Sequence, residues 1–283
     1  MIDATRVSVV IPAMNEEASI AAVVSGVRET LCPLEVIVVD DGSSDETGAR
    51  AAGAGARVVR HPYNKGNGAA VKTGIREARG EFVLLMDADG QHDPKDAQRL
   101  IEALAENEMV IGARSASDQA WLRALGNACF QWLASWLTGR AIPDLTSGFR
   151  VARRDRLLSI LHLLPNGFSY PTTSCLAFLK AGYSVAFVPI RAHRRVGMSK
   201  IRVVRDGVLF VLIILKIVTL YSPLKIFFPI SAASFLLGAA YAVWNVVEFG
   251  KIPMGAALLI QLAILVFLFG LISEQVASSL DRK

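Results

Sequence analysis

The sequence predicts an α/β fold, a Rossmann-like and mostly parallel sheet, followed by a membrane-embedded C-terminal part. Three observations predict it. Short β-branched runs alternate with helical patterns through residues 7–114, the apolar run of LLMDADGQHDP (84–94) stops at Asp87, Asp89 and Asp93, and two nearly charge-free stretches lie near the C-terminal end. Strict alternation of strand and helix means right-handed crossovers and parallel pairing. An apolar strand that ends in carboxylates delivers charge to the carboxyl edge of such a sheet, where open α/β folds bind ligands.

Taken in order, VSVVIPA (7–13), EVIVVDD (35–41), ARVVRH (56–61), FVLLMDA (82–88) and MVIGAR (109–114) read as strands, with helices near 16–30, 44–53, 67–79 and 94–106. Asp93-Pro94 supplies an N-cap and a first-turn proline, and Ser43 or Ser44 is the expected cap of the helix after the second strand. From Gln119 to Thr138, Trp121, Leu125, Cys129, Trp132 and Trp136 recur at spacings of three and four. Such a stripe packs on the sheet or, alternatively, lies near a bilayer surface, where tryptophan is favoured.

The apolar fraction of 53% and mean hydropathy of +0.42 exceed those of an ordinary soluble domain, and the excess collects after Gly207. Residues 226–247 and 252–273 are each long enough, at about 1.5 Å per residue, to cross a hydrocarbon core of roughly 30 Å. Only Glu248 to Lys251 separate them, so a tight antiparallel hairpin is expected. Residues 1–200 form the expected α/β domain, 201–224 an amphipathic juxtamembrane helix, 225–274 the hairpin and 275–283 a tail. The segment 203–221 is broken by Asp206 and Lys216, which suits a helix lying in the interface; a third span would place Lys216 deep in hydrocarbon.

Arg202, Arg205, Lys216 and Lys225 precede the hairpin and Arg282 and Lys283 follow it, so both ends and the large N-terminal part should be cytoplasmic. Met1 to Ala13 has no long apolar core or cleavage site, so a secretory signal is not expected. Cys32, Cys129 and Cys175 lack CxxC spacing, fit a reducing compartment, and read as small core residues. The net charge of +5 comes with cations crowded into 191–205. Lipid bilayer or phosphate is then a better partner than nucleic acid, for which no motif is present. A homo-oligomer is compatible with the sequence, which does not specify one.

Asp40 and Asp41 end the second strand before a glycine turn, where carboxylates can accept from a base N–H or ribose hydroxyls; capping by Asp41 with Ser43 is the alternative. In NKGNGAAVKTG, Gly66 and Gly68 would let backbone approach a ligand while Lys65 reaches a phosphate, although a plain loop entering a helix fits equally. The GxxxxGK[ST] order of a P-loop is absent. Asp87 and Asp89 form a DxD pair whose carboxylates can converge on one Mg²⁺ or Mn²⁺ that also binds a diphosphate. Arg191, His193, Arg194, Arg195, Lys200 and Arg202 make a cationic segment suited to a lipid phosphate at membrane height, and Arg150 could bind the same phosphate.

The order VVIPAMNEE, VIVVDDGSSD, NKGNGAAVKTGI, LLMDADGQHDP, DLTSGFR and HRRVGMSK resembles family 2 glycosyltransferases of the GT-A fold, and among them the polyisoprenyl-phosphate glycosyltransferases. The resemblance covers roughly residues 7–202, and the C-terminal hairpin is similar to that of membrane-anchored members. It implies that Pro12, Asn15, Glu16 and Asp40 or Asp41 hold the nucleotide, that Asp87, Asp89 and Gln91 hold the metal and diphosphate, and that Ser199-Lys200 lie in the acceptor-side loop. Asp144 matches the place of a proposed base; it could instead order Arg150, and Asp89 is the other candidate. None of the four tryptophans completes the QxxRW motif of processive members. The implied reaction is an inverting transfer of one hexose from a nucleotide sugar of the GDP-mannose or UDP-glucose type to a polyisoprenyl phosphate. Diacylglycerol as acceptor, or a noncatalytic nucleotide-binding scaffold, are the alternatives.

Overall fold

The computed structural model describes residues 2–114, 131–132, 134–136, 138–167, 169–191 and 222–280. The chain divides into two compact units, Met1–Phe210 and Val211–Lys283.

In the first unit all five strands expected from the sequence form: β1 (Val7–Ala13), β2 (Glu35–Asp40), β3 (Arg57–Arg60), β4 (Phe82–Leu85) and β5 (Met109–Arg114). Two more join them, β6 (Arg150–Arg153) and β7 (Val185–Ile190), to give one sheet in the order β3-β2-β1-β4-β6-β5-β7. β1 pairs in parallel with β2 and β4, and β2 with β3. β6 runs antiparallel between β4 and β5, whereas β7 is parallel to β5. The sheet is therefore mixed and mostly parallel.

Every residue of β1 is buried, as expected of a central strand covered on both faces. Val9 and Ile11 join the core beneath α1 (Ile20–Leu31) and, later in the chain, α4 (Pro94–Ala103). On the other face α3 (Asn67–Glu77) packs on β1 and β2. Its Gly74 makes that approach possible: a Cβ there would lie 2.2 Å from Val10 Cγ1. Asp93 caps α4 as expected, accepting from the Lys95 N–H, with Pro94 in the first turn.

The helix after β2 departs from expectation. α2 (Thr47–Gly53) begins later than Ser43 or Ser44, and Asp45 accepts from the Thr47 N–H. Ser43 instead accepts from the Asn15 N–H at 3.0 Å. Helix α5 (Arg154–Ser159) follows β6, and α6 (Tyr170–Lys180) is buried from Tyr170 through Phe178. Trp132 and Trp136 are 67% and 47% exposed, so this part of the stripe does not pack on the sheet; Trp121, Leu125 and Cys129 lie outside the described residues. Cys175 is buried as expected, whereas Cys32 is exposed because it ends α1 in a left-handed conformation, φ 45°.

The second unit contains α7 (Leu224–Phe249) and α8 (Met254–Leu280), each longer than the expected span and each long and apolar enough to cross a membrane. Gly250 ends α7 in the left-handed region, φ 67°. The two helices pack through small residues: the Ser231 hydroxyl donates to the Ala263 carbonyl at 2.9 Å, and a Cβ on Gly238 would lie 3.0 Å from Leu259 and Ile260. Large apolar side chains such as Leu236, Trp244 and Phe269 remain exposed, as lipid-facing positions require. The expected juxtamembrane helix at 201–224 lies mostly outside the described residues.

Candidate active site

Between β1 and β4 the connections leave in opposite directions, since β1 leads to β2 on one side and β4 lies on the other. The carboxyl ends of strands part at such a switch point and leave a crevice. A cleft of about 480 Å³ opens there, lined by Pro12, Glu16, Asp41, Asp87, Asp89, Gln91 and Arg114, with Gly148 and Tyr170 opposite. The antiparallel β6 explains the opposite wall, because its amino end reaches the same edge at which β4 finishes, with Arg150 paired to Leu85.

The DxD turn is fixed from several directions. The Ser19 hydroxyl donates to the Ala88 carbonyl at 2.7 Å, the Gln91 N–H donates to Asp89 Oδ1 at 3.1 Å, and Gly90 turns the chain at φ 73°. Asp89 is almost wholly buried. Asp87 packs against the backbone of Gly148, where an added Cβ would lie 2.6 Å from its Oδ2. Burial pushes the Asp87 carboxyl upward, but the His92 hydrogen bond and the nearby charges of Arg114 and Arg150 hold it below the ordinary carboxylate range.

Arg114, the last residue of β5, is a site residue that motif reading passed over. Its side chain donates to Asp144 Oδ2 at 2.8 Å from Nε, and to Thr146 Oγ1 at 2.8 Å. Burial would lower its pKa, yet Asp144 first, then Asp87 and Asp89, raise it. The signal was present, since MVIGAR places a cation where a parallel strand meets the ligand edge.

Asp144 is buried and saturated: besides Arg114 it accepts from the N–H groups of Thr146 and Ser147 at 3.0 and 3.1 Å. Burial raises its carboxyl, and the Arg114 hydrogen bond and charge more than offset this, leaving it low. A carboxylate so held is a poor proton acceptor. It lies against Arg114 rather than Arg150.

Arg150 is fully buried. It donates to the Pro171 carbonyl and the Ser174 hydroxyl, both at 2.7 Å, and to the Ser147 carbonyl. Its guanidinium ties β6 to α6, which corrects the expectation that it meets a lipid phosphate. Arg194, Arg195, Ser199 and Lys200 lie outside the described residues.

The expected nucleotide residues divide. Pro12, Glu16 and Asp41 line the cleft. Asp41 also accepts from the Lys65 and Gly66 N–H groups at 2.9 and 2.8 Å and lies 2.6 Å from His61 Nδ1, whose other ring nitrogen meets the Thr73 hydroxyl. Asp40 accepts from the Ser43 N–H at 2.8 Å and pairs with Arg60. Asn15, at φ 53°, accepts from the Ser44 N–H and so staples the loops after β1 and β2. Asp40, Asn15 and Lys65 stand outside the lining, and the Lys65 ammonium lies over the Tyr63 ring at 5.7 Å. The glycines of NKGNG also serve another purpose. A Cβ on Gly66 would lie 2.6 Å from the Asn166 carbonyl and one on Gly68 2.0 Å from the Pro165 carbonyl, so both admit a neighbouring loop, while Gly66 also lines the cleft.

The family described as glycosyl transferase family 2 matches residues 8–158, and one described as GtrB C-terminal hairpin matches residues 222–279. A polyprenol monophosphomannose synthase of Mycolicibacterium smegmatis is 32% identical over 213 residues, covering 69% of this chain and 80% of that protein. An undecaprenyl-phosphate mannosyltransferase of Micrococcus luteus is 32% identical over 219 residues, covering 69% and 87%. Among solved structures, a glucosyl-3-phosphoglycerate synthase of Mycobacterium tuberculosis aligns with TM-score 0.62 at 22% identity, covering 75% of this chain and 79% of that one; this is a likeness of fold.

Proposed function

The chain belongs to glycosyl transferase family 2, and from that premise we propose that it moves one hexose from a nucleotide sugar to the phosphate of a polyisoprenyl lipid, with inversion, giving a lipid-linked monosaccharide. The observation that carries the reading is the meeting of Asp87, Asp89 and Arg114 in one cleft at the carboxyl edge of the sheet. Relatives that act on polyprenyl phosphates and a matching C-terminal hairpin support the acceptor class.

The cleft walls are rich in carboxylates, yet the proposed donor carries a diphosphate. Two hard carboxylates, Asp87 and Asp89, lining one cleft suit a magnesium- or manganese-type ion. Asp87 and Asp89, with Gln91 beside them, would hold such an ion, which when bound supplies Lewis-acid neutralisation of the departing diphosphate.

The remaining work falls to the chain's own groups. Pro12, Glu16 and Asp41 shape the donor end of the cleft, and Arg114, held by Asp144, offers a fixed cation to phosphate oxygens. A lipid phosphate has a second pKa of about 6, so its oxygen is already nucleophilic at neutral pH and alignment matters more than a general base. Two helices long and apolar enough to span a bilayer, and the excess of lysine and arginine outside their turn, support membrane attachment with both termini on the cytoplasmic side.

The test is turnover by the full chain in detergent with Mg²⁺ or Mn²⁺, a short polyprenyl phosphate, and GDP-mannose, UDP-glucose or UDP-N-acetylglucosamine in turn. One donor should yield labelled glycolipid, diacylglycerol should not replace the acceptor, and Asp89→Ala should abolish product. Undiminished turnover by that variant would contradict the assignment.

A further inference from the structure

His92 sits in the DxD turn, yet the reaction proposed above gives it no task. Its ring is buried and stacks on Phe149, with centroids 4.7 Å apart and planes 16° from parallel. Phe149 is itself fully buried and immediately precedes Arg150, whose guanidinium is locked by three acceptors. The ring therefore rests on a rigid support. Its Nε2 lies 3.3 Å from Asp87 Oδ2, while Nδ1 is buried with no hydrogen-bond partner.

A buried polar atom without a partner costs free energy, and a donor left so costs more than a weak acceptor. The ring thus makes one productive contact, Nε2–H to Asp87. The Asp87 carboxylate also packs against Gly148, where an added Cβ would lie 2.6 Å from the same Oδ2. With the Gly148 backbone and the His92 imidazole both against Oδ2, the carboxylate has little room to turn in the cleft that Asp89 shares.

We propose that His92 is a positioning residue for the cation-binding carboxylate: stacked on Phe149, it holds Asp87 Oδ2 so that the other oxygen is presented to a divalent ion. This rests on the reading of Asp87 and Asp89 as ligands of that ion. A group that orients a ligand from behind typically changes metal affinity by about ten- to a hundredfold when removed.

The experiment is Mn²⁺ titration of the full chain in detergent, followed by the loss of the free-ion electron paramagnetic resonance signal. His92→Phe keeps the stack and removes the donor, and it should weaken Mn²⁺ binding by about tenfold or more. His92→Gln restores an N–H donor and should recover most of that loss, a rescue that a merely space-filling role would not give. Wild-type affinity in His92→Phe overturns the proposal, as does equal loss in both variants. Should His92→Phe not fold, Phe149→Leu keeps the donor but loosens its support; unchanged Mn²⁺ affinity there overturns it as well. Absence of Mn²⁺ binding by the wild-type protein rejects instead the metal reading beneath it, and the inference with it.

Discussion

Arg114 and Asp144 illustrate how a pair of residues can be misjudged when each is read alone. Asp144 sits in a motif and invites a catalytic role, yet its oxygens accept from Arg114, Thr146 and Ser147. Replacing it with Asn leaves a half-buried guanidinium short of its charged partner, a loss of about 2 kcal/mol, read as a lower Tm in detergent. The pH dependence has a definite sign. Because the folded-state carboxyl is held low, its contribution is present above the ordinary Asp value of about 3.9 and is lost as pH falls through the folded value. The Tm gap between wild type and Asp144→Asn should therefore be full at pH 7 and close in acid. A gap that widened below pH 4 would mean that the ion pair is not its source. On activity, Arg114→Ala should lower kcat/KM far more than Arg150→Lys, provided the latter folds, because only Arg114 lines the cleft.

Among the elements, glycines decide how closely neighbouring segments approach. Gly148→Ala would drive a methyl group into Asp87, 2.6 Å from Oδ2. Since a displacement of about 1 Å at a reacting centre can cost a hundredfold, turnover should fall by about ten- to a hundredfold while circular dichroism stays unchanged. Gly68→Ala has a different consequence, because its methyl group would meet the Pro165 carbonyl at 2.0 Å. The 165–167 loop must then shift, which should cost about 1–3 kcal/mol and lower Tm. Full stability in Gly68→Ala would show that the loop yields freely. Neither role could be read from the motif, since a glycine near a ligand and a glycine near another loop look identical in sequence. Periodicity, by contrast, did locate β1 to β5. The four-residue RVAR of β6 escaped it, being too short and too charged for an alternating pattern and stabilised by neighbours on both sides.

For the whole molecule, the charge distribution predicts an orientation. A Cys placed at Gly250, between α7 and α8, should react in intact cells with a membrane-impermeant thiol reagent, whereas one placed at Arg282 should react only after permeabilisation. Equal labelling at both positions would refute the two-span arrangement with cytoplasmic ends. The hairpin was legible because hydrocarbon tolerates only long apolar helices. Its internal contacts, such as Ser231 to Ala263, were not, because any small residue on either helix could have faced the partner.

Composition and local pattern by themselves determined the α/β class, the five leading strands, the paired apolar helices and the acidic turn after β4. These are consequences of period, length and capping, which act within a few residues. Tertiary structure alone decided that Arg114 joins the acidic pair, that Arg150 is a buried brace, that Asp40 stays outside the cleft lining, and that His92 meets Asp87. Those outcomes depend on which distant segments share one edge of the sheet. Burial, charge pairing and close packing act between chain neighbours in space, and an antiparallel strand inserted beside β4 changes those neighbours without leaving a repeating mark in the sequence.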